Sequence, residues 1–249
     1  MDIPAYLRRI AYSGPVTPSQ ETLRRLHYRH LQAVPFENLD IARHRRILLD
    51  PQAFVRKVVE DRRGGFCYEL NGAFAALLEA LGFPVTLLSG RVPREDGSES
   101  PEFDHLTLQV DLDEPWLADV GFGDSFLEPL RLTSRDEQQA AGKTFRIVDL
   151  SGSLMVEQKQ SGEAWKPVYK FTLVPRNLHD FAAMCDFHQT SPESFFTRRR
   201  ICSRATPGGR ITLADSKLVV TENDDRQERS LQSDEEWNAA LEQHFGIVL

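Results

Sequence analysis

Arg63-Gly64-Gly65-Phe66-Cys67-Tyr68-Glu69-Leu70-Asn71 opens a long apolar periodicity, with Leu70, Phe74, Leu77, Leu78 and Leu81 at i, i+4, i+7, i+8 and i+11. That spacing is one buried face of a helix. The paired glycines just before it allow a sharp turn, so Cys67 is predicted in the helix's first turn. Unpaired backbone N–H groups and the positive end of the macrodipole there favour a thiolate over a thiol. The same position equally suits a small apolar cysteine that starts a core helix. This stretch alone does not choose between the two.

Upstream, Thr17-Pro18-Ser19-Gln20 reads as an N-cap, a first-turn proline and a capping-box glutamine. The stripe Leu23, Leu26, Leu31 and Val34 predicts a helix over 18–33, stopped by Pro35. Pro35-Phe36-Glu37-Asn38-Leu39 reads as a short loop. Asp50-Pro51 caps a second helix that buries Phe54, Val55, Val58 and Val59, and the Cys67 helix ends at Gly82 and Pro84. The first third is therefore a small helical bundle.

Downstream the period changes. Residues 85–89 are strand-like, and the polar stretch 93–104 reads as a loop or hairpin end. His105-Leu106-Thr107-Leu108-Gln109-Val110 alternates strictly, as a half-buried strand does. Segments 116–120, 144–149, 154–158 and 165–173 predict further strands, so the middle is an antiparallel sheet or small barrel. The last part mixes types: a short helix over 178–185, a helix start at Ser191–Ser194, a hairpin around Asp215-Ser216, and a terminal helix. That helix opens on the capping box Ser233-Asp234-Glu235-Glu236, carries Trp237, Leu241 and Phe245, and closes at Gly246. Helices, then strands, then a mixed segment make an α+β chain.

Composition bounds the function. At 249 residues and 41% hydrophobic content the chain can bury a sizeable core. No apolar run reaches the roughly 18 residues of a membrane span, and the N-terminus has no signal-peptide pattern. The odd set Cys67, Cys185 and Cys202 lacks a CxxC pair and points to a reducing cytosol rather than a disulfide framework or zinc site. A net charge of −7 offers no basic footprint for nucleic acid, and the seven histidines are scattered without metal-ligand spacing. Neither a metal nor a tightly bound cofactor is expected, and the oligomeric state is open.

A cysteine nucleophile needs a base, and the base needs a group to fix its tautomer. His105 lies on the polar face of a predicted strand, and Asp119 ends the next one, just before Gly121-Phe122-Gly123. Each has an ordinary alternative, a hydrogen-bonded strand histidine and a turn-forming aspartate.

Four segments carry a resemblance. Pro35–Leu39, Arg63–Asn71, His105–Val110 and Asp119–Gly123 are similar, in order and spacing, to the signature segments of the arylamine N-acetyltransferases. The similarity extends weakly through Gln189-Thr190-Ser191-Pro192 to Phe245-Gly246-Ile247. It implies a helical unit (1–84) carrying the nucleophile, a β-barrel unit (85–177) carrying the histidine and aspartate, and an α/β lid (178–249). The helical and barrel parts would share the cysteine-protease and transglutaminase-like core. No long insertion separates barrel and lid, as in the shorter bacterial type.

By residue, the resemblance implies that Cys67 accepts the acyl group, His105 is the base and Asp119 orients it. Phe36 and Phe122 match substrate-pocket positions and Phe126, nearby, is a further pocket candidate, although plain core packing is an alternative for each phenylalanine. Gly121, Gly123, Phe187, Ser194 and Phe196 are candidates for contact with CoA, and Arg63 with Glu37 for bracing the Cys67 turn. Acetyl-CoA is the implied co-substrate and an aromatic amine or hydrazine the acceptor. Arg198-Arg199-Arg200 invites a phosphate-clamp reading but fits a solvated face better. Other readings stay open: an acyltransferase or amide synthase of different specificity, amide chemistry of the cysteine protease or transglutaminase kind, or a non-catalytic binding module.

Overall fold

A computed structural model describes residues 1–94, 96–140, 142–223 and 225–249. Residue 95, inside the polar stretch read as a loop, lies outside the described residues, as do 141 and 224. The N-terminal helices are α1 (Ile3–Arg9), α2 (Gln20–Ala33), α3 (Leu39–Ala42), α4 (Pro51–Val59) and α5 (Cys67–Ala80), with a two-residue strand β1 (Phe36–Glu37) between α2 and α3.

The cap of α2 is Ser19, not Thr17, because the Ser19 hydroxyl accepts the Thr22 N–H at 3.2 Å. Pro18 therefore precedes the cap. Asp50 caps α4 as expected, accepting from Gln52 and Ala53. Helix α1 has no counterpart in the sequence reading, since its seven residues are too few to show a period. Its Arg9 closes two helix ends, donating to Val58 O at 2.8 Å and Ala33 O at 2.7 Å. Helix α5 runs through the middle of the bundle with 11 of its 14 residues buried, so it is apolar nearly all round.

The middle of the chain is one eight-stranded antiparallel sheet of β2 (Val85–Arg91), β3 (His105–Asp111), β4 (Pro115–Ala118), β5 (Leu130–Arg131), β6 (Gln138–Ala140), β7 (Lys143–Leu150), β8 (Ser153–Lys159) and β9 (Lys166–Phe171). The order β5-β4-β3-β2-β9-β8-β7-β6 leaves one seam. The Gln138 amide bridges it by accepting Arg131 N–H at 2.7 Å and donating to Arg131 O at 3.2 Å. The sheet is thus nearly a closed barrel, filled by Leu88, Leu117, Phe126, Phe145, Ile147, Val156, Tyr169 and Phe171.

The strand expected over 116–120 stops at Ala118. The amides of Asp119 and Val120 go to the side chains of His27 and Asn71 instead of to a neighbouring strand.

After a 3-10 turn (Leu178–Phe181) come α6 (Ala182–Thr190) and α7 (Phe195–Arg198). Strands β10 (Ile201–Thr206), β11 (Gly209–Ala214), β12 (Lys217–Glu222) and β13 (Asp225–Ser230) follow, and then α8 (Asp234–Phe245). The predicted hairpin joins β11 to β12. Strand β13, Asp-Arg-Gln-Glu-Arg-Ser, is exposed throughout and protects the outer edge by charge, which hid it from an apolar pattern. Trp237, Leu241 and Phe245 of α8 cover the sheet through Leu213 and Leu218, and Gly246 ends the helix at φ 67°.

The inner edge of this five-stranded sheet is β1, paired Phe36 to Ser203 and Glu37 to Cys202. The segment expected as a loop is therefore a strand, too short to show alternation. Asn38, next in the chain, donates to Phe196 O (2.9 Å) and Arg199 O (2.6 Å) and accepts Ile201 N–H at 2.8 Å.

Candidate active site

The turn before α5 is fixed from both sides. Glu37 N–H donates to Gly65 O at 2.9 Å, and a Cβ on Gly64 would lie 1.8 Å from Pro35 O. Only glycine lets β1 and this turn approach so closely. Glu69, in the first turn of α5, accepts Phe66 N–H at 3.1 Å, and this carboxylate closes the helix start.

Beneath the turn lies a buried charge cluster. Arg63 Nη2 pairs with Glu37 at 2.8 Å and Asp40 at 3.3 Å. Lys57 Nζ meets Asp40 and Glu69, both at 2.7 Å. The Glu37–Arg63 pair is thus no surface ion pair, since the Glu37 side chain is 0% exposed and that of Arg63 10%. Burial works against the Lys57 ammonium, but the charges of Glu69, Glu37 and Asp40 outweigh it and hold the ammonium above its ordinary value. Three carboxylates share two cations, and burial pushes Glu69 up to about 7.

Cys67 is 4% exposed, at the bundle–barrel junction. Its Sγ lies 3.9 Å from Asp104 O, just before the strand that begins at His105. Burial pushes the thiol well above its ordinary value, the Leu106 backbone N–H works the other way, and the charges of Asp104 and Asp119 raise it further. Burial thus opposes the help that a helix start gives a thiolate. A thiolate needs a cation facing it.

His105 supplies the means. Its Nε2 meets Asp119 Oδ2 at 2.6 Å, which leaves Nδ1 free of that bond. The other carboxylate oxygen accepts Asn71 Nδ2 and Gly121 N–H, both at 2.9 Å. Burial would raise the Asp119 carboxyl, but the His105 charge and these hydrogen bonds hold it below its ordinary value. Asn71, one turn along α5 from Cys67, also donates to Leu106 O (2.6 Å) and accepts Val120 N–H (2.9 Å). One amide thus ties the cysteine helix, the histidine strand and the aspartate loop together.

The other expected site residues divide. Phe122 is half-buried, edge-on to His105 with ring centres 5.1 Å apart. Phe36 and Phe196, also half-buried, face each other at 6.1 Å. Gly123 has φ 97°, the left-handed region glycine favours, and Phe36 lies beside it. Phe122 thus lies against His105, while Phe36, Phe196 and Gly123 group beside Phe66, which precedes Cys67.

Phe126 is 1% exposed, stacked on His27 and edge-on to Phe145, so it belongs to the barrel core rather than to a pocket wall. A Cβ on Gly121 would come within 2.8 Å of Cys67 Cα and of Asn71 Nδ2, so the missing side chain there makes room for α5 rather than for a ligand. Ser194 is 1% exposed, and its hydroxyl caps α7 and meets His188 Nδ1 at 3.2 Å. Phe187 is half-buried on α6 beside His188.

Arg198, Arg199 and Arg200 line a groove of about 1140 Å³ whose lining includes none of Cys67, His105 and Asp119. Arg198 bonds Ser194 O, Arg199 pairs with Asp215, and Arg200 pairs with Asp234 and stacks on Trp237. Among the described residues no cluster of His, Cys, Asp and Glu is placed to hold a metal, and no helix is long and apolar enough to cross a membrane.

Gly121→Ala is expected to cost about 1–3 kcal/mol by overpacking. It should also slow alkylation of Cys67 by iodoacetamide, because the added methyl presses on the Cys67 backbone. Urea unfolding and the rate of adduct formation check the two effects separately.

Sequence reading gave Asn71 no role and did not single out His27 or Lys57. All three are polar residues on buried helix faces, and that misfit is the signal each carries in the sequence.

A cysteine opening a bundle helix, against a barrel that brings histidine and aspartate, is the cysteine-protease-like arrangement. A family model described as N-acetyltransferase matches residues 19–249. The pineal gland arylamine N-acetyltransferase isozyme NAT-3 of Gallus gallus is 36% identical, over 100% of this chain and 95% of its own length. The Escherichia coli K12 arylamine N-acetyltransferase is 35% identical, over 97% and 87%. The Salmonella typhimurium enzyme superposes with a TM-score of 0.93 at 32% identity, covering 98% of this chain and 90% of its own. The Mycobacterium marinum enzyme in complex with CoA gives 0.92 at 31%, covering 99% and 93%. The chain belongs to the arylamine N-acetyltransferase family.

Proposed function

We infer that this protein moves an acetyl group from acetyl-CoA to the nitrogen of an arylamine, arylhydrazine or N-hydroxyarylamine, through acetyl-Cys67. The observation that carries the reading is the buried His105–Asp119 bond of 2.6 Å beside a cysteine at a helix start. Because Nε2 donates to Asp119, Nδ1 is the basic nitrogen, and the Cys67 proton passes to it. Asp119 then stabilises the imidazolium, and that cation holds the thiolate against burial.

The thiolate adds to the thioester carbonyl, and CoA leaves as its thiol, taking the proton back from His105. In the second half an amine adds to acetyl-Cys67 and loses a proton to His105, and the Cys67 thiolate departs: a ping-pong cycle. Aromatic amines suit this base because they are neutral near pH 7, whereas an alkylamine arrives protonated. Residues 1–84 supply the nucleophile, 85–177 the base and its partner, and 178–249 the lid. The site of action is the cytosol.

Acetyl-CoA alone should add one acetyl mass to the intact protein at Cys67, and an arylamine should discharge it. No adduct, together with full arylamine turnover by Cys67→Ala, would sink the mechanism.

Phe122 packs edge-on to His105 and is part open. Phe122→Ala should therefore slow discharge to arylamine more than formation of the acetyl-enzyme, as read by single-turnover kinetics of each half-reaction. An equal loss in both would mark the ring as packing.

A further inference from the structure

His27 takes no part in the chemistry above, yet it touches the triad from behind. It lies on α2, 0% exposed, and its Nε2 accepts the Asp119 backbone N–H at 3.0 Å. Its Nδ1 meets Leu127 O at 3.0 Å. A backbone amide can only donate and a carbonyl can only accept. The hydrogen therefore sits on Nδ1, Nε2 is bare, and only the neutral imidazole serves both partners. Phe126 stacks on one face at 5.9 Å and Phe74 meets the ring edge-on at 6.0 Å, so the ring cannot turn away.

The titratable and charged groups around it are few: Asp119 in front, His30 on the same helix, and Arg9 behind His30. Burial pushes His27 down to about 4, and it stays neutral wherever the enzyme would work.

The consequence concerns Asp119. Asn71 and Gly121 fix one of its carboxylate oxygens, and the other is left for His105. That aim holds only while the backbone at 119 stays put, and β4 has already ended at Ala118. The strand ladder does not hold this residue. His27 does.

We infer that His27 is a positioning residue of the triad, which holds the Asp119 backbone so that its carboxylate meets His105 Nε2. This rests on the reading of Asp119 as the acid that orients His105. Without the acceptor, a buried amide is left unpaired, and the loop relieves it by turning residue 119.

Two substitutions separate positioning from packing. In His27→Gln the side-chain oxygen reaches about as far as Nε2, so the Asp119 amide keeps its acceptor. In His27→Asn the shorter amide reaches only as far as Nδ1, so it can serve Leu127 and not Asp119. With both variants shown folded by circular dichroism, His27→Asn should acetylate Cys67 from acetyl-CoA about 10–100-fold more slowly than wild type. It should also shift the pH profile of Cys67 alkylation by iodoacetamide, and His27→Gln should recover most of both.

Equal losses in the two variants, or an unshifted alkylation profile with only a lower melting temperature, would overturn the inference. Asp119→Asn is run alongside. If it acetylates at the wild-type rate, the triad reading falls and this inference with it. If Asp119→Asn is crippled while His27→Asn is not, the inference alone falls.

Discussion

Asp119→Asn should leave a folded protein that acetylates Cys67 about 10⁴-fold more slowly, the scale of a triad histidine held in the wrong tautomer. The direction follows from the hydrogen-bond count. Asn71 Nδ2 and Gly121 N–H both donate to Asp119 Oδ1. A carboxamide can satisfy two donors there only with its oxygen, which turns the NH2 toward His105 Nε2. That nitrogen must then accept, the ring hydrogen moves to Nδ1, and the base facing Cys67 is gone. Shape and burial hardly change, so the near-ultraviolet circular dichroism should match wild type. The measurement is the rate of the acetyl adduct on the intact protein. A loss of less than tenfold would mean that the His105–Asp119 bond does not set the tautomer.

Lys57→Met should destabilise the protein by about 3–5 kcal/mol at pH 8, the usual cost of leaving one side of a buried ion cluster unpaired. Its ammonium, 11% exposed, faces Asp40 and Glu69 at 2.7 Å and Glu37 at 3.9 Å. Without it Glu37 and Asp40 keep Arg63, and the buried Glu69 loses the cation it pairs with.

The deficit depends on pH. Burial already pushes Glu69 above its ordinary value, to about 7, and losing Lys57 removes a charge that lowers it. A carboxyl raised in the folded state gives stability that is complete below its unfolded value and is lost as pH rises through the folded one. Lowering the pH from 8 to 5.5 lets Glu69 take up a proton and should shrink the difference between variant and wild type. Urea unfolding at both pH values reads this. A constant deficit would mean that Glu69 is not the group that takes up the proton.

The Arg63–Asn71 turn also shows why some of the site could be read from a linear chain. Its glycines, the cysteine and the following period are local facts, and helix α5 begins at Cys67 as they predict. Strict alternation placed His105 on β3, and Gly-Phe-Gly marked the loop that carries Asp119. Arg63 and Glu37 were legible as a pair, but not as part of a buried cluster with Lys57, Asp40 and Glu69. A charged residue on an amphipathic helix reads as solvent-facing until the other chain segments cover it.

Two further features depend on the whole fold. Phe126 follows the Gly-Phe-Gly loop closely, as a pocket residue could, but its ring fills the barrel beside His27 and Phe145. The thiolate that the helix start favours is opposed by burial of Cys67, and burial is a sum over the whole fold.

Periodicity and spacing were enough for the α+β class and most of the helices and strands, because those signals repeat within a turn or a strand, whereas Cys67, His105 and Asp119 were singled out as a set by the resemblance to the arylamine N-acetyltransferases. The hydrogen bonds that aim those residues needed the folded chain. Asn71 reaches Asp119 across 48 positions of sequence, and His27 reaches it across 92. Neither side chain has any local feature that names its partner. Once α2, α5 and the barrel exclude water around Asp119, each buried donor must find an acceptor, and the acceptors available lie on other elements.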